Sequence, residues 1–444
     1  MSGRLAFVAP RYGLDVLGGA ETVVRQLAER LVGSGLEVEV LVSCAKDHYT
    51  WANHYPPGEE RVNGVLVRRF PVVRTTSGRR HKEIGDRIGA GFPTTLAEQE
   101  EWINDGMRVP GVFHWLMDEA DRYDSIILTP YMFWTTYACA QVAPSKNVLR
   151  PCLHDEPYAR LEIYRDIFES ARGITFNSPP ERDLADSLYR LPASTAVVGE
   201  GVDLPPEHDA SRFRAKYGVE GDFLIYAGRR EWGKNVDVLA EHFARYRRLH
   251  APDLKLVLLG KGDVRMPEDP QGIVDLGFLP EQDKHDAFAA ACVVCQPSRW
   301  ESFSRLIMDG WIAATPSLVW DGCAVTVYHA LTSGGGLIYN DYYEFEQALD
   351  FLLAHPDARR EMGERGRAYV LENYQWEQVV DRLLACLETW RQGKPTPEWV
   401  LAQGSRSEPA GGQVSSAARA VETTRIREAR SDPDLEPESR EVSQ

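Results

Sequence analysis

The sequence predicts an α/β protein built from two doubly wound domains of parallel β-sheet. Short runs rich in Val, Ile and Leu alternate with helical patterns along most of the chain. Such continuous apolar runs are typical of parallel strands that are buried on both faces. The alternation restarts after Gly199–Pro206, a segment rich in Gly and Pro near the middle. Each half has the size of one Rossmann-like unit, so we expect domains at residues 1–200 and 201–375.

The predicted elements follow from local periodicity and from the turn-forming residues between them. The strands of the first half are Leu5–Pro10, Val38–Ser43, Val65–Phe70, Ser125–Thr129, Asn147–Leu153 and Gly173–Phe176. Those of the second half are Phe223–Ala227, Lys255–Leu259, Ile273–Leu276, Val293–Gln296 and Ser317–Trp320. Helices are predicted at Glu21–Leu31, Val236–Leu249 and Gln282–Ala291. The polar segment Gly78–Arg108 is predicted to be an irregular insertion in the first domain, where an acceptor could be selected.

The C-terminal part of the chain changes character twice. Tyr374–Trp390 has the pattern of an amphipathic helix. Beyond Gly393 the composition shifts to Ser, Ala, Glu, Arg, Pro and Gly, so residues 394–444 are predicted to be disordered. Asp432–Asp434 in this tail has the DxD spacing of a metal site, and we interpret it as part of the tail instead.

Composition excludes some functions and leaves others open. A formal net charge of −16 argues against nucleic acid as the main partner. The N-terminus resembles a first strand rather than a signal peptide, and no apolar run reaches the ~20 residues of a membrane span. Seven cysteines without a disulfide framework fit a reducing compartment, so we expect a cytoplasmic protein. Peripheral contact with the inner membrane face stays open, because Arg79, Arg80 and Lys82 form either a lipid-binding patch or a solvated basic face.

The segment Pro297–Pro316, PSRWESFSRLIMDGWIAATP, is the most informative motif. A strand runs into a loop and then into a helix that is predicted to begin near Ser304. Glu301 and Asp309 are eight positions apart, which places both carboxylates near one face of that helix. Phosphates could bind at the helix N-terminus, with the acids accepting hydrogen bonds from hydroxyl groups. Alternatively, Glu301 is an acid of the cap region and Asp309 a solvated helix residue.

A second motif, YAGRREWGKN, places Arg229, Arg230 and Lys234 between a strand and the N-terminus of a helix. Cations at this end oppose the helix dipole. A bound anion such as a diphosphate would account for them, and a solvated basic turn is the alternative.

Two further signals lie at strand ends of the first domain. Gly18 and Gly19 open a helix and would let backbone approach a ligand, although the GxGxxG pattern of dinucleotide sites is absent from this sequence. His154, beside Asp155 and Glu156, falls where open α/β sheets bind ligands. A tight turn and a structural histidine are the alternatives. No metal site is predicted, since the CxxC of Cys292 and Cys295 lies in an apolar strand without a second ligand pair.

These motifs occur in one order, and together they carry a resemblance. The pieces are Gly18–Glu21, His154–Tyr158, Gly199–Asp203, Ala227–Asn235, Leu259–Gly262, Gly277–Pro280 and Pro297–Pro316. Over residues 4–392 the sequence resembles the retaining glycosyltransferases of family 4, also called group 1, and Glu301 with Asp309 is similar to their E-x7-E signature. The resemblance implies the GT-B fold, with two Rossmann-like domains facing a cleft and a helix at residues 376–393 returning to the first domain.

The resemblance also implies a role for each matching residue. Arg229 and Lys234 would hold the donor diphosphate, Glu301 the sugar hydroxyls and Asp309 the ribose. Backbone amides at Phe303, Ser304, Arg305 and Leu306 would meet sugar and phosphate, Gly19 would approach the phosphate, and His154 would reach the sugar near the scissile bond. The chain departs from the family at Asp309, one methylene shorter than Glu, at Ser302 and Ser304 in place of glycines, at Asn235 and at Ala324.

The implied function is that of a retaining hexosyltransferase (EC 2.4) of polysaccharide biosynthesis. Its donor would be a UDP- or GDP-linked sugar, it would need no cofactor or metal, and the acceptor is a glycan, a lipid or a small molecule. A front-face reaction needs no enzyme nucleophile, whereas a two-step route would need Asp155 or Glu156. The alternatives are a catalytically weak protein that binds nucleotide sugars or glycans, and a nucleotide-dependent epimerase or oxidoreductase.

Overall fold

The computed structural model describes residues 3–16, 18–74, 78–205 and 207–405. The strands are β1 (Arg4–Ala9), β2 (Glu37–Ser43), β3 (Gly58–Val62), β4 (Val65–Phe70), β5 (Val73–Arg74), β6 (Met107–Arg108), β7 (Ser125–Leu128), β8 (Asn147–Leu149), β9 (Gly173–Phe176), β10 (Thr195–Val197), β11 (Phe223–Ala227), β12 (Lys255–Leu259), β13 (Ile273–Gly277), β14 (Val293–Gln296), β15 (Ser317–Trp320) and β16 (Gly336–Tyr339). The helices are α1 (Gly19–Gly33), α2 (Arg79–Gly89), α3 (Leu96–Asp105), α4 (Pro110–Glu119), α5 (Trp134–Cys139), α6 (Arg165–Ser170), α7 (Pro179–Leu188), α8 (Ala210–Tyr217), α9 (Val236–Leu249), α10 (Glu281–Ala290), α11 (Arg305–Ile312), α12 (Ala324–Ser333), α13 (Tyr342–Ala354), α14 (Pro356–Asn373), α15 (Trp376–Arg391) and α16 (Glu398–Ser405).

Two sheets organise the molecule, as the sequence predicts. The first has the order β10-β9-β8-β7-β1-β2-β4-β3 and is parallel except for β3, which pairs antiparallel with β4. The second has the order β13-β12-β11-β14-β15-β16 and is parallel throughout. We call the parts built on them the first and second lobes. The predicted boundary at residue 200 falls between β10 and β11, and the exact domain limits stay a prediction.

The strands of the first sheet are buried on both faces, which explains their continuous apolar sequence. Alternate residues of β1 enter different cores: Ala6 and Val8 face one, and Leu5 and Phe7 face the other. The second sheet is covered in the same way, since Leu258 belongs to one core and Val319 to another. Each predicted strand is present, and the sequence missed β3, β5, β6, β10 and β16, which are short, polar or at a sheet edge.

Two predictions were wrong. Gly78–Arg108 is not irregular: it contains α2 and α3, and Ile84 and Trp102 pack into the core of the first lobe. The disordered tail does not begin at residue 394, because α16 reaches Ser405 and Val400 is only 1% exposed. Residues 406–444, including Asp432–Asp434, lie outside the described residues.

The strand predicted to end at Leu153 is shorter than expected. Strand β8 ends at Leu149, because Pro151 cannot donate a backbone hydrogen bond and Cys152 has a left-handed φ of 51°. The chain therefore turns out of the sheet before His154.

The last long helix crosses back to the first lobe, as the resemblance implies. Helix α15 buries Leu383, Leu387 and Trp390 in the core that contains Phe7 and Leu27. Within the described ranges, no helix has the length and apolar character that a bilayer crossing requires.

Asp203 ties the linker to two helices. We use the name linker segment for residues 199–205, which leave the first sheet. The Asp203 carboxylate accepts hydrogen bonds from Arg30 of α1, with 2.7 Å between Nη2 and Oδ1, and from Trp376 Nε1 of α15 at 2.8 Å. Arg30 also lies 4.1 Å from the centre of the Trp376 ring. The Trp376 ring in turn covers Gly201 so closely that a Cβ there would overlap it.

Gly201→Ala is expected to lower the free energy of unfolding by about 1–3 kcal/mol, because the added methyl forces the Trp376 ring to move. Gly33→Ala is the matched control, since a Cβ at the end of α1 meets no atom within 4 Å. Urea midpoints of the two variants and the wild type would check this. Equal midpoints for all three would show that the linker can absorb the methyl group.

Candidate active site

The carboxyl ends of strands from both sheets meet at one place, where open α/β sheets bind ligands. Asn177 follows β9 and donates its side-chain amide to Ser302 Oγ, which follows β14, at 3.1 Å. At the outer rim, Tyr49 OH of the first lobe lies 3.4 Å from Glu231 Oε1 of the second, and His48 Nε2 lies 3.7 Å from the same oxygen. The side chains between these two contacts form the candidate site.

Lys234 and Glu301 form the central ion pair of this site. Lys234 ends a short 3-10 helix after β11, and Glu301 lies in the loop between β14 and α11. Lys234 Nζ donates to Glu301 Oε1 at 2.7 Å, and both side chains are largely buried. Burial alone would raise the pKa of Glu301, but the charge and hydrogen bond of Lys234 outweigh it and hold the pKa below its usual value. Glu301 is therefore an ionised carboxylate that can accept hydrogen bonds from hydroxyl groups.

The N-terminus of α11 is held rigidly beside this pair. Ser304 is its N-cap, with φ of 73° and ψ of 75°, and its hydroxyl accepts a 2.7 Å hydrogen bond from Gln296 Nε2. Phe303 is 1% exposed and packs on Tyr374, and Leu306 enters the core of the second lobe. The predicted contacts of Phe303 and Leu306 with a ligand can therefore come only from their backbone. Free N–H groups at such an end attract phosphate.

Arg229 and Lys234 have different surroundings in the structure, and their contact with a donor diphosphate stays a prediction. Arg229 Nη1 lies 3.1 Å from Glu231 Oε1 and 3.5 Å from His48 Nε2, and the side chain is 45% exposed at the rim. Arg230 instead turns inward to Asp275 at 2.5 Å and to the carbonyl of Gly260, which fixes the loop.

His154 lies near Glu301, and its predicted contact with the sugar stays a prediction. A protonated imidazole at this place would help to lower the pKa of Glu301. Its Nδ1 is 3.7 Å from Glu156 Oε1, and the same Oε1 accepts a hydrogen bond from Tyr131 OH at 3.0 Å. Asp155 points to Arg160, with 2.6 Å between Oδ1 and Nη2.

Gly19 begins α1, and a Cβ there would meet no atom of the described residues within 4 Å. Two buried side chains, Arg11 and Glu21, form an ion pair beside this helix end. An anion could therefore approach the backbone of Gly19 without steric hindrance.

Asp309, like Glu301, is a buried carboxylate that is paired with a lysine. It is 7% exposed on α11, and Lys284 of α10 donates to its Oδ2 at 3.0 Å. Burial raises the pKa of Asp309, but Lys284, Arg305 and His285 more than offset this, so the pKa lies below its usual value. The predicted ribose contact therefore has to share a carboxylate that Lys284 already holds.

Several residues of the site were missed from the sequence. Gln296, Asn177 and Lys284 position Ser304, Ser302 and Asp309. Gln296 carried one signal, a polar side chain at the end of an apolar strand. Lys284 and Asn177 carried none, because each lies far along the chain from its partner. Within the described part of the chain, His, Cys, Asp and Glu side chains form no group of three that could hold a metal ion.

Family models match both lobes. The model of glycosyl transferases group 1 matches residues 209–369, and that of the glycosyl transferase 4-like domain matches residues 18–201. The chain belongs to the group 1 glycosyltransferases. This glycosyltransferase therefore has the GT-B fold and takes its sugar from a nucleotide-sugar donor.

Relatives of the glycosyltransferase match along most of its length. It is 26% identical to D-inositol 3-phosphate glycosyltransferase of Jonesia denitrificans, over 85% of this chain and 93% of the relative. The enzyme of that name from Catenulispora acidiphila is 25% identical, over 85% and 92%.

Solved structures share its fold. Sucrose-phosphate synthase from Thermosynechococcus elongatus has a TM-score of 0.66 at 17% identity, covering 88% of this chain and 98% of that one. Anabaena HepE in complex with UDP-glucose has a TM-score of 0.59 at 14% identity, covering 87% and 99%.

Lys284→Met should lower the free energy of unfolding by about 3 kcal/mol at neutral pH, because it leaves Asp309 as a buried carboxylate without its cation. Since the folded-state pKa of Asp309 lies below its unfolded value, its contribution is present above about pH 4 and is lost as the pH falls. The difference in the free energy of unfolding between Lys284→Met and the wild type should therefore become smaller as the pH falls below about 4.

Urea unfolding at pH 7 and at about pH 3 measures this. Lys216→Met is the control. Lys216 of α8 pairs with Asp283 of α10, but its side chain is 53% exposed. Its midpoint should barely change. If the difference in stability between Lys284→Met and the wild type stays constant with pH, it does not arise from the charge of Asp309.

Proposed function

We propose that this glycosyltransferase transfers a sugar from a UDP- or GDP-linked donor with retention of anomeric configuration and without a metal ion. The observation that carries the proposal is the pair of Lys234 and Glu301 at the N-terminus of α11. A cation and free backbone amides lie on one side of this place, and an ionised carboxylate on the other. These are the groups that a diphosphate and the hydroxyls of a sugar require.

The bond to be broken joins the anomeric carbon to a phosphate, so negative charge grows on the leaving diphosphate. Lys234, the amides of α11 and the open end of α1 at Gly19 can stabilise that charge in place. Arg229 is exposed at the rim and can swing from Glu231 to the diphosphate. Glu301 would accept hydrogen bonds from hydroxyls of the sugar as Lys234 moves to the phosphate.

A front-face reaction suits the carboxylates of the first lobe. In that route the leaving phosphate oxygen takes the proton of the acceptor hydroxyl, and that hydroxyl attacks from the same side. Asp155 is paired with Arg160, and Glu156 is held by Tyr131 and lies beside His154. We propose that Glu156 orients His154 and does not attack the sugar.

The proposal also covers the acceptor and the cellular location of the enzyme. Relatives are named for D-inositol 3-phosphate, so this polyol phosphate is the first acceptor to test here. We place the enzyme in the cytoplasm. In the insertion, Arg80 pairs with Glu101 and Lys82 with Asp86, so these charges are balanced and favour a solvated face over a lipid-binding patch.

Lys234→Ala should reduce the release of nucleoside diphosphate from the preferred donor by about 10²–10³-fold, the loss seen when a preorganised donor is removed. Release would be measured first across UDP-, GDP- and ADP-sugars, with and without D-inositol 3-phosphate. Lys82→Ala, exposed on α2, is the control and should keep wild-type rates. Near-normal turnover of Lys234→Ala would contradict its role, and a wild type that releases nothing from any donor would favour a binding protein.

Glu156→Ala with added azide tests the two-step route. If Glu156 were a nucleophile, azide would replace it and produce a glycosyl azide of inverted configuration. We expect no glycosyl azide by mass spectrometry, because the front-face route forms no glycosyl-enzyme bond. Detection of that product would overturn the mechanism.

Chelation tests the metal-free part of the proposal. Because Lys234 and backbone amides supply the positive charge, transfer in excess EDTA should proceed at the wild-type rate. A loss of activity that Mg²⁺ or Mn²⁺ restores would refute it.

A further inference from the structure

Glu200 is a buried acid that the function above does not use. It lies in the linker segment between the two lobes and is 6% exposed. Among the described residues, no hydrogen bond or ion pair reaches its carboxyl group. A buried carboxyl without such a partner is costly, so its retention points to a ligand.

An unpartnered donor lies beside this unpartnered acid. Arg150, at the end of β8, is 2% exposed and donates Nη2 to the carbonyl of Gly199 at 2.8 Å. Its other terminal nitrogen, Nη1, is buried and has no hydrogen-bond partner within the described residues. Of the charges that act on Glu200, that of Arg150 is the largest.

The second lobe places the donor site against the same acid. Arg305, the first residue of α11, lies 3.4 Å from the carbonyl of Gly201, so guanidinium groups bind the backbone on both sides of Glu200. Glu301 and His154 are also near enough to act on its charge. Burial raises the pKa of Glu200. A hydroxyl group can donate to this carboxyl in either protonation state.

We propose that Glu200 and Arg150 bind a hydroxyl group of the transferred sugar, an inference that rests on the function proposed above. A hydroxyl both donates and accepts, so one such group satisfies the Glu200 carboxyl and Arg150 Nη1 together. A phosphate would satisfy Arg150 but could only accept from Glu200. Glu301 then holds other hydroxyls of the same sugar.

The test compares a nucleotide with and without its sugar. Dissociation constants of UDP and UDP-glucose, and of GDP and GDP-mannose, would be measured by calorimetry for the wild type, Glu200→Gln and Glu200→Ala. Glu200→Ala should weaken binding of the nucleotide sugar about tenfold, the effect of one lost hydrogen bond to a buried group. It should leave the dissociation constant of the bare nucleotide unchanged. Glu200→Gln should lie between, because its amide keeps one acceptor. Glu220→Gln, an exposed acid, is the control.

Three outcomes separate the explanations. If the substitution weakens binding of the nucleotide sugar and of the bare nucleotide equally, or if neither dissociation constant changes, Glu200 does not bind the sugar. A thermal midpoint of Glu200→Gln well below that of the wild type would show a structural role instead, since removing an unpaired buried acid should not destabilise the fold. If the wild type binds neither nucleotide pair, the proposed function itself is wrong.

Discussion

The ion pair between Lys234 and Glu301 is the interaction on which the site depends. It joins two loops that are 67 residues apart in sequence, one after β11 and one after β14. Because these strands are neighbours in the second sheet, their carboxyl ends bring the cation and the acid together beside the N-terminus of α11. Without a ligand each charge neutralises the other, so the pair can be buried before a donor arrives. If a donor binds here as proposed, its diphosphate and sugar hydroxyls would replace the contacts that the two side chains make with each other.

The second acid of the signature has been adapted differently. Asp309 lies within α11, where Leu306 and the residues from Ile307 to Ile312 are also buried, and Lys284 neutralises it. The signature therefore keeps its spacing, and each of its two acids has a lysine partner of its own.

Much of the fold could be predicted from the sequence because buried parallel strands leave an unambiguous apolar pattern. The start of α11 and the return of α15 were predicted and are confirmed, and Glu301 lies in the predicted loop before α11. His154 was predicted at a strand end and lies instead after the chain has left β8. The partners of these residues were not predictable. Asn177 and Lys284 reach their partners across 125 and 25 residues, and no local pattern marks such contacts. The helices α2 and α3 were missed because polar residues dominate their exposed faces, although Thr95 and Glu98 form a capping box at the start of α3.

The contact between the lobes at Ser302 and the anchoring of the linker at Asp203 differ in strength, and this difference bears on turnover. Near Ser302 the lobes are joined by a neutral hydrogen bond from Asn177, worth about 1 kcal/mol. At Asp203 the connection is charge-assisted and includes a buried indole. If the lobes part at the reacting end, this hydrogen bond and the rim contacts of Glu231 with Tyr49 and His48 would break while the linker stays anchored. Such a hinge motion would let spent nucleotide leave. In such an enzyme, product release rather than chemistry can set the overall rate.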